Sequence, residues 1–154
     1  MPLSSSFLFK GLAKPQIDRL TAIAKEIQIS KDQWLFHEGR SADRIYILKT
    51  GAVELLTKVD RDYELPLRII RSKGGCFGTS ALVFPHRYSI SSRCAKEAVL
   101  LEIRRTKLEK ISKEDPALGC MIMANLAQHL LEKLKETRQE LKIHFKTLFQ
   151  SMHP

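Results

Sequence analysis

The residues best suited to binding chemistry lie between Gly78 and Ser89, where small, hydroxyl-bearing and basic side chains follow one another. Gly78 precedes a turn at Thr79-Ser80, and backbone amides in such a turn can bind an anion. Arg87 supplies a positive charge, because a guanidinium donates parallel hydrogen bonds to a phosphate or carboxylate. This segment, residues 78–89, is here called the anion segment. Together with two more distant basic residues, Arg93 and Lys133, it predicts a site for a small anion.

Patterns typical of catalysis or metal binding do not occur in the sequence. No nucleophile, base and orienting residue follow in a recognisable order, and no pair of carboxylates stands out. Cys76, Cys94 and Cys120 are an odd number without metal-ligand spacing. We therefore expect three reduced thiols, no metal, no cofactor and no enzymatic activity.

The charge balance favours an anionic partner. The 154 residues include 26 Lys+Arg against 17 Asp+Glu, a formal net charge of +9, which suits a nucleotide, a nucleic acid or a membrane surface. No apolar run approaches the roughly 18 residues of a membrane span, and the apolar part of the N-terminus is too short for a secretory signal. We expect a cytoplasmic protein that does not contact membranes.

One basic cluster stands apart from the anion segment. It consists of Arg104-Arg105-x-Lys107 with Lys110 and Lys113 behind it. The spacing predicts a solvated helix face, and a docking site is the alternative.

The elements that must position these residues form one domain, because the length and the 44% of apolar residues suit a single core. Its three parts are an N-terminal helical part at 7–28, a β-region at 29–103 and C-terminal helices at 104–154. In the first part, apolar residues at helical spacing behind Pro15 predict a helix that ends by about Gln28.

The β-region consists of short β-branched or aromatic runs separated by turn residues. Closely spaced strands of this kind predict an antiparallel sandwich or barrel, and Pro66 places its strand at an edge. The predicted strands are Trp34–Phe36, Ile45–Leu48, Ala52–Leu56, Leu65–Ile70, Tyr88–Cys94 and Ala98–Ile103.

Two helices are predicted in the third part. Thr106 and Glu109 have the spacing of a capping box, and Asp115-Pro116 opens a second helix at about 116–150. Its apolar residues predict a homodimer formed through this helix. The seam occupies two heptad positions, with Ala127, Leu134, Leu141 and Leu148 at one and Met123, Leu130 and the polar Thr137 and His144 at the other.

These elements and motifs resemble the cyclic nucleotide-binding domain family of the catabolite activator and of protein kinase A regulatory subunits. The resemblance spans most of residues 7 to 135. It implies a mainly β fold with flanking helices, in which an antiparallel β-roll of jelly-roll or double-stranded β-helix type precedes a short helix and a long C-terminal helix. The matching motifs are Phe9-Lys10-Gly11-Leu12, Phe36-His37-Glu38-Gly39, Ala42-Asp43, Tyr46–Gly51, Val53-Glu54-Leu55, Gly75-x-Phe77-Gly78, Ala81-Leu82 and Leu100-Leu101-x-Ile103.

The resemblance also implies a phosphate-binding cassette, from which this sequence departs. Members that bind cyclic nucleotides are similar in having Phe-Gly-Glu, a short helix with Ala-Leu, and Pro-Arg-x-Ala, in which Glu holds the ribose and Arg the phosphate. Here Thr79 stands at the Glu position, and counting from Gly78 or from Ile103 puts Tyr88 at the Arg position, one residue after Arg87. The implied ligand-binding residues are Gly78, Thr79, Ser80, Ala81, Arg87, Tyr88 and Ser89.

A further departure lies on the long helix. Cyclic AMP-binding activators place hydroxyls shortly after a Leu-Ala-x-x-Leu segment, whereas here Lys133 and Leu134 follow Leu126–Leu130. The sequence therefore predicts a non-catalytic ligand-sensing domain with an altered pocket that is not a normal cyclic AMP receptor.

Two alternatives stay open. One is a genuine cyclic nucleotide receptor in which Arg87 contacts the phosphate, and the other is an interaction module with an inert pocket. Activators of this family carry a winged helix-turn-helix of about sixty residues after the long helix. The sequence given ends at Pro154, so we expect no sequence-specific DNA binding.

Overall fold

The computed structural model describes residues 3–154. Six strands and three α-helices, with two short 3₁₀ helices, account for most of this range. The helices are the first 3₁₀ helix Phe7–Phe9, α1 Lys14–Ile23, the second 3₁₀ helix Thr79–Leu82, α2 Arg105–Glu114 and α3 Pro116–Met152. The strands are β1 Lys25–Ile29, β2 Trp34–Phe36, β3 Arg44–Lys58, β4 Glu64–Ile70, β5 Cys76–Phe77 and β6 Ser91–Arg104.

All strand pairs are antiparallel, and the order in the sheet is β1-β6-β3-β4, with β2 also on β6 and β5 also on β3. This arrangement, with the helices flanking the sheet, confirms the β-roll fold that the sequence predicts. The long strands β3 and β6 pair from Arg44 opposite Arg104 to Leu56 opposite Ser91. Each of them joins two runs that the sequence predicts as separate strands.

Gly51 permits the bend in the middle of β3. Its φ is +90°, and a Cβ there would lie 2.2 Å from the carbonyl oxygen of Glu97 on β6. The register between the two strands shifts at the same place. A residue with a side chain fits neither the backbone angle nor the space, so the strand bends without ending.

β4 lies at the end of the strand order, as Pro66 predicts. Proline has no backbone N–H to donate and is tolerated where one side of the strand is unpaired. The register shift between Leu55 and Leu56 accommodates it.

Two local predictions are wrong. The first helix ends at Ile23, and residues Lys25–Ile29 form β1, in which Ile27 lies opposite Leu100 of β6. Pairing along β6 satisfies the backbone of this alternating segment, which overrides its helical propensity. The second error concerns Thr106, which lies inside α2 instead of capping it. The cap is Arg104, so the helix begins at Arg105, two residues earlier than a cap at Thr106 implies, and the amide of Arg105 donates to the carbonyl of Asp43 at 2.7 Å.

The first turns of α3 attach the helix to the roll. Asp115 caps it as predicted, because its carboxylate accepts from the Leu118 amide at 3.2 Å. The amide of Asn125 donates to the carbonyls of Leu8 and Lys10 at 3.0 and 2.8 Å. The buried side chains on this face are Leu118, Ile122 and Leu126.

Candidate functional site

The anion segment begins at Gly78, which has left-handed backbone angles directly before the second 3₁₀ helix. A Cβ on Gly78 would lie 3.2 Å from the Arg44 carbonyl oxygen and 3.4 Å from the rings of Phe36 and Tyr46. The glycine therefore lets the chain turn against the aromatic core and start the helix at Thr79.

Backbone hydrogen bonds fix the return of the segment from the short helix. The Ala42 amide donates to His86 O at 2.7 Å, and the Tyr88 amide donates to Arg40 O at 2.9 Å. The Gly39 amide donates to Tyr88 O at 2.7 Å, and Nδ1 of His86 contacts Ala81 O at 2.9 Å. Residues 86–88 are thus held against the loop that precedes β3, which sets the directions of the next side chains.

Four of the seven predicted ligand-binding residues line one cavity of about 290 Å³, here called the hydroxyl cavity. Three of them bring hydroxyls, and the fourth is Arg87; α3 closes the opposite side with Leu126 and Leu130. The hydroxyl-bearing residues are Thr79, Ser80 and Ser89. The hydroxyl oxygens of Ser80 and Ser89 lie 3.1 Å apart, and the Ser89 amide donates to that of Ser80 at 3.3 Å.

Arg87 is exposed and stands at the edge of this cavity. Its Nη1 donates to the carbonyl oxygen of Gly39 at 3.0 Å. It takes part in no ion pair within residues 3–154. Its positive charge is therefore oriented by a backbone carbonyl and is not compensated by a carboxylate.

Tyr88 lies on the other side of the segment, in the core. It is 4% exposed, its ring stacks on Phe36 with centroids 3.8 Å apart, and its hydroxyl donates to Arg44 O at 2.9 Å. Burial raises the pKa of Tyr88 well above its usual value, and it raises that of neighbouring Tyr46 to about 12. Tyr88 therefore stays neutral and supplies no charge to a ligand.

Gly78, Ala81 and Tyr88 shape the segment but do not line the hydroxyl cavity. The predicted strand start at Tyr88 is wrong, because β6 begins at Ser91. The side chains of Arg87 and Tyr88 nevertheless lie in different environments, because Arg87 is exposed and Tyr88 is buried. The backbone of Arg87 forms an isolated antiparallel bridge with Ser41 in the preceding turn.

The two distant cations of the sequence analysis are engaged elsewhere. Arg93 pairs with Glu54 at 2.9 Å and lies 5.2 Å over the Trp34 ring, and Lys133 pairs with Glu136 at 3.0 Å. Neither residue lines the hydroxyl cavity. Among the described residues that line the hydroxyl cavity, Arg87 is therefore the one with a positive charge.

The second half of α3 carries an exposed apolar stripe, here called the α3 stripe. Leu134, Leu141 and Leu148 are the members that it shares with the predicted seam. Phe145 lies four residues after Leu141 and three before Leu148, next to His144 of the predicted seam. The members of the α3 stripe are Leu131, Leu134, Leu141, Phe145, Leu148 and Met152, which are 51–73% exposed.

Residues 3–154 show neither a membrane-spanning helix nor a metal-binding cluster. Within that range no helix is both long and apolar enough to span a bilayer. The same residues contain no group of three His, Cys, Asp or Glu side chains that could hold a metal ion.

The chain is similar to known proteins over most of its length. The model of the cyclic nucleotide-binding domain matches residues 26–115. The anaerobic regulatory protein of Bacillus subtilis is 26% identical over 127 residues, which are 82% of this chain and 53% of that protein. Potassium channel KAT3 of Oryza sativa subsp. japonica is 26% identical over 126 residues, which are 82% of this chain and 25% of the channel. The matched part of the chain thus corresponds to about half or less of the length of these relatives.

Solved structures show the same fold. The catabolite activator protein of Thermus thermophilus superimposes with a TM-score of 0.76 at 24% identity, over 90% of this chain and 62% of that one. A cyclic nucleotide-binding domain from Methylobacillus flagellatus also gives 0.76, at 17% identity over 86% and 74% of the two chains.

Proposed function

The chain belongs to the cyclic nucleotide-binding domain family, and from this premise we propose that it is a non-catalytic regulatory domain that senses a small anion and does not act as a normal cyclic AMP receptor. The observation that carries the proposal is that Arg87, free of any carboxylate partner in the described chain, shares the hydroxyl cavity with three hydroxyl groups. Such a set donates hydrogen bonds to an anion and neutralises its charge.

Two side chains argue against ordinary cyclic AMP binding. Thr79 has no carboxylate to accept from a ribose hydroxyl, and Tyr88 is neutral, buried and already bonded to Arg44 O. A hydrogen bond to a charged group contributes about 1.5–3 kcal/mol, so the loss of both contacts weakens binding by a factor of roughly a hundred or more.

The long helix points the same way. Leu126 and Leu130 are the residues of α3 that line the hydroxyl cavity, so the helix contributes apolar surface there. These leucines would cover an anion held by Arg87. Exchange of one ligand for another would therefore change the contacts of α3.

A genuine cyclic nucleotide receptor is the second candidate. It is favoured by the position of Arg87, which borders the hydroxyl cavity one residue before the position expected for the phosphate contact. An inert pocket, the third candidate, would follow if Tyr88 and Phe84 filled the space that a ligand would occupy.

Inorganic phosphate tests the anion proposal through thermal unfolding. At about ten times its dissociation constant, phosphate is expected to stabilise the native chain by about 1.4 kcal/mol and to raise Tm by roughly 3–6 °C. Arg87→Gln should abolish the rise, because it removes the charge that holds the anion.

Arg61→Gln is the matched control, since Arg61 is an exposed arginine in the turn between β3 and β4. It should respond to phosphate like the unaltered protein. Equal shifts in the Arg87→Gln and Arg61→Gln variants would contradict the proposal, and an absence of any shift in the unaltered protein would favour the inert pocket.

We also propose that two copies of the chain pair through α3. The helix is 37 residues long, and only its first turns pack on the roll. The α3 stripe has the three-and-four spacing of a coiled coil, interrupted by Arg138 between Leu134 and Leu141, and it lies open along the rest of the helix. Contiguous exposed apolar surface of this extent is typical of an interface.

A further inference from the structure

A second, more apolar cavity lies between α2 and α3. Its volume is about 410 Å³, within the usual range of small-molecule sites. Its apolar lining comes from all three elements that meet there: Leu82 of the second 3₁₀ helix, Leu108 of α2, and Ile122 and Met123 of α3.

Positive charge predominates at the rim of this cavity, where Arg105 and Lys113 of α2 face a single carboxylate, Glu109. Nη1 of Arg105 donates to Oε1 of Glu109 at 3.1 Å. Lys113 is exposed and takes part in no ion pair among residues 3–154. The rim of the cavity therefore carries one uncompensated positive charge beside the apolar lining.

Arg105 also has an unused donor. Its Nε is buried and has no hydrogen-bond acceptor within the described chain. A buried donor without a partner destabilises the structure, so an anionic acceptor that draws the guanidinium toward it would be favoured. The basic cluster identified in the sequence therefore faces two cavities. Arg105 and Lys113 line this one, and Lys110 lines a different one.

We propose that this cavity is a second ligand site, which takes an aliphatic monocarboxylate with its carboxylate on Arg105 and Lys113 and its chain on Leu82, Leu108, Ile122 and Met123. Charge complementarity selects the anionic head, and the apolar lining selects the aliphatic tail. This cavity and the hydroxyl cavity share no lining residue. They lie at opposite ends of the second 3₁₀ helix, since Thr79 at its start lines the hydroxyl cavity and Leu82 at its end lines this one.

Octanoate, titrated by calorimetry below its micellar concentration, tests the proposal. The full chain should bind it at least tenfold more tightly than octanol, which lacks the charge, and than butyrate, which lacks most of the tail. Arg105→Gln should weaken octanoate binding at least tenfold, and Lys113→Gln two- to fivefold. Lys110→Gln, a change of the same kind on the other side of α2, should alter it less than twofold.

Cys120 locates the site independently. It lines the cavity and is the exposed thiol of the chain, since Cys76 and Cys94 are buried. Saturating octanoate should slow alkylation of Cys120 by iodoacetamide at least fivefold, whereas octanol at the same concentration should not.

Equal binding of octanoate and octanol, or an unchanged rate of Cys120 alkylation, would overturn the proposal. If Arg105→Gln does not fold, Lys113→Gln decides the charge requirement, because Lys113 is exposed and its replacement removes no described contact. Equal octanoate affinities in Lys113→Gln and Lys110→Gln would then contradict it.

Discussion

Replacement of Tyr88 by alanine is expected to lower the free energy of unfolding by about 3–5 kcal/mol, the usual cost of deleting a buried aromatic ring. The ring stacks on Phe36 and adjoins a cluster that continues to Tyr46 and Phe77. Removal of the Tyr88 ring leaves a cavity beneath the anion segment. Chemical denaturation followed by tryptophan fluorescence measures the loss, since Trp34 is the single tryptophan.

Tyr88→Phe separates the ring from its hydroxyl. It keeps the stacking on Phe36 and removes only the hydrogen bond to Arg44 O, so the expected loss is about 0.5–1.5 kcal/mol. If Tyr88→Ala were as stable as the unaltered protein, Tyr88 would not be a core residue, and the explanation of why it cannot replace the phosphate-binding arginine would be wrong.

The combined change Leu134→Glu and Leu141→Glu is expected to convert a homodimer into monomers. Both residues lie in the middle of the α3 stripe, 54% and 67% exposed in the single chain. Four carboxylates would be buried in the paired helices, at a cost of several kcal/mol each, so the dimer dissociation constant should rise at least a hundredfold. Sedimentation equilibrium at tens of micromolar measures the change.

Ile143 provides the control, because it is 54% exposed but lies two residues from Leu141, on a different face of the helix. Ile143→Glu should leave the dimer intact. A monomeric unaltered protein, or equal dissociation by Ile143→Glu, would contradict pairing through the α3 stripe.

The β-roll was predictable because local signals and tertiary pairing agree along most of it. Gly51 stands where a side chain cannot fit, Gly78 has left-handed backbone angles, and Pro66 stands on an edge strand, so each can be recognised by residue type alone. The end of α1 could not be read in this way. Whether residues 25–29 continue a helix or form a strand depends on β6, which lies about seventy residues later in the chain.

The candidate site was predictable in position but not in arrangement. Counting along the sequence identified Arg87 and Tyr88 as the residues to compare, but it assumed a strand with alternating faces. The structure has a turn there, with His86 at a φ of +57°. Which side chain enters the core depends on hydrogen bonds to Gly39, Arg40 and Ala42, and these come from a loop far away in sequence.

The heptad register on α3 stays a prediction. Two overlapping patterns fit the second half of α3, and the sequence does not say which face packs on the roll. The buried positions of Leu118, Ile122 and Leu126 fix that face and leave Phe145 on the open stripe. The expected lack of sequence-specific DNA binding stays a prediction.

Calorimetric titration with cyclic AMP tests the altered pocket most directly. Because Thr79 and Tyr88 stand at the positions where the resemblance implies the two charged contacts, the dissociation constant that we propose is weaker than about 100 μM, which corresponds to less than ~5.5 kcal/mol of binding. The titration should be run with the folded full chain in a buffer without phosphate or sulfate, so that no anion occupies the hydroxyl cavity. A heat signal that saturates with a low-micromolar constant and disappears in Arg87→Gln would contradict the account and identify a genuine cyclic nucleotide receptor.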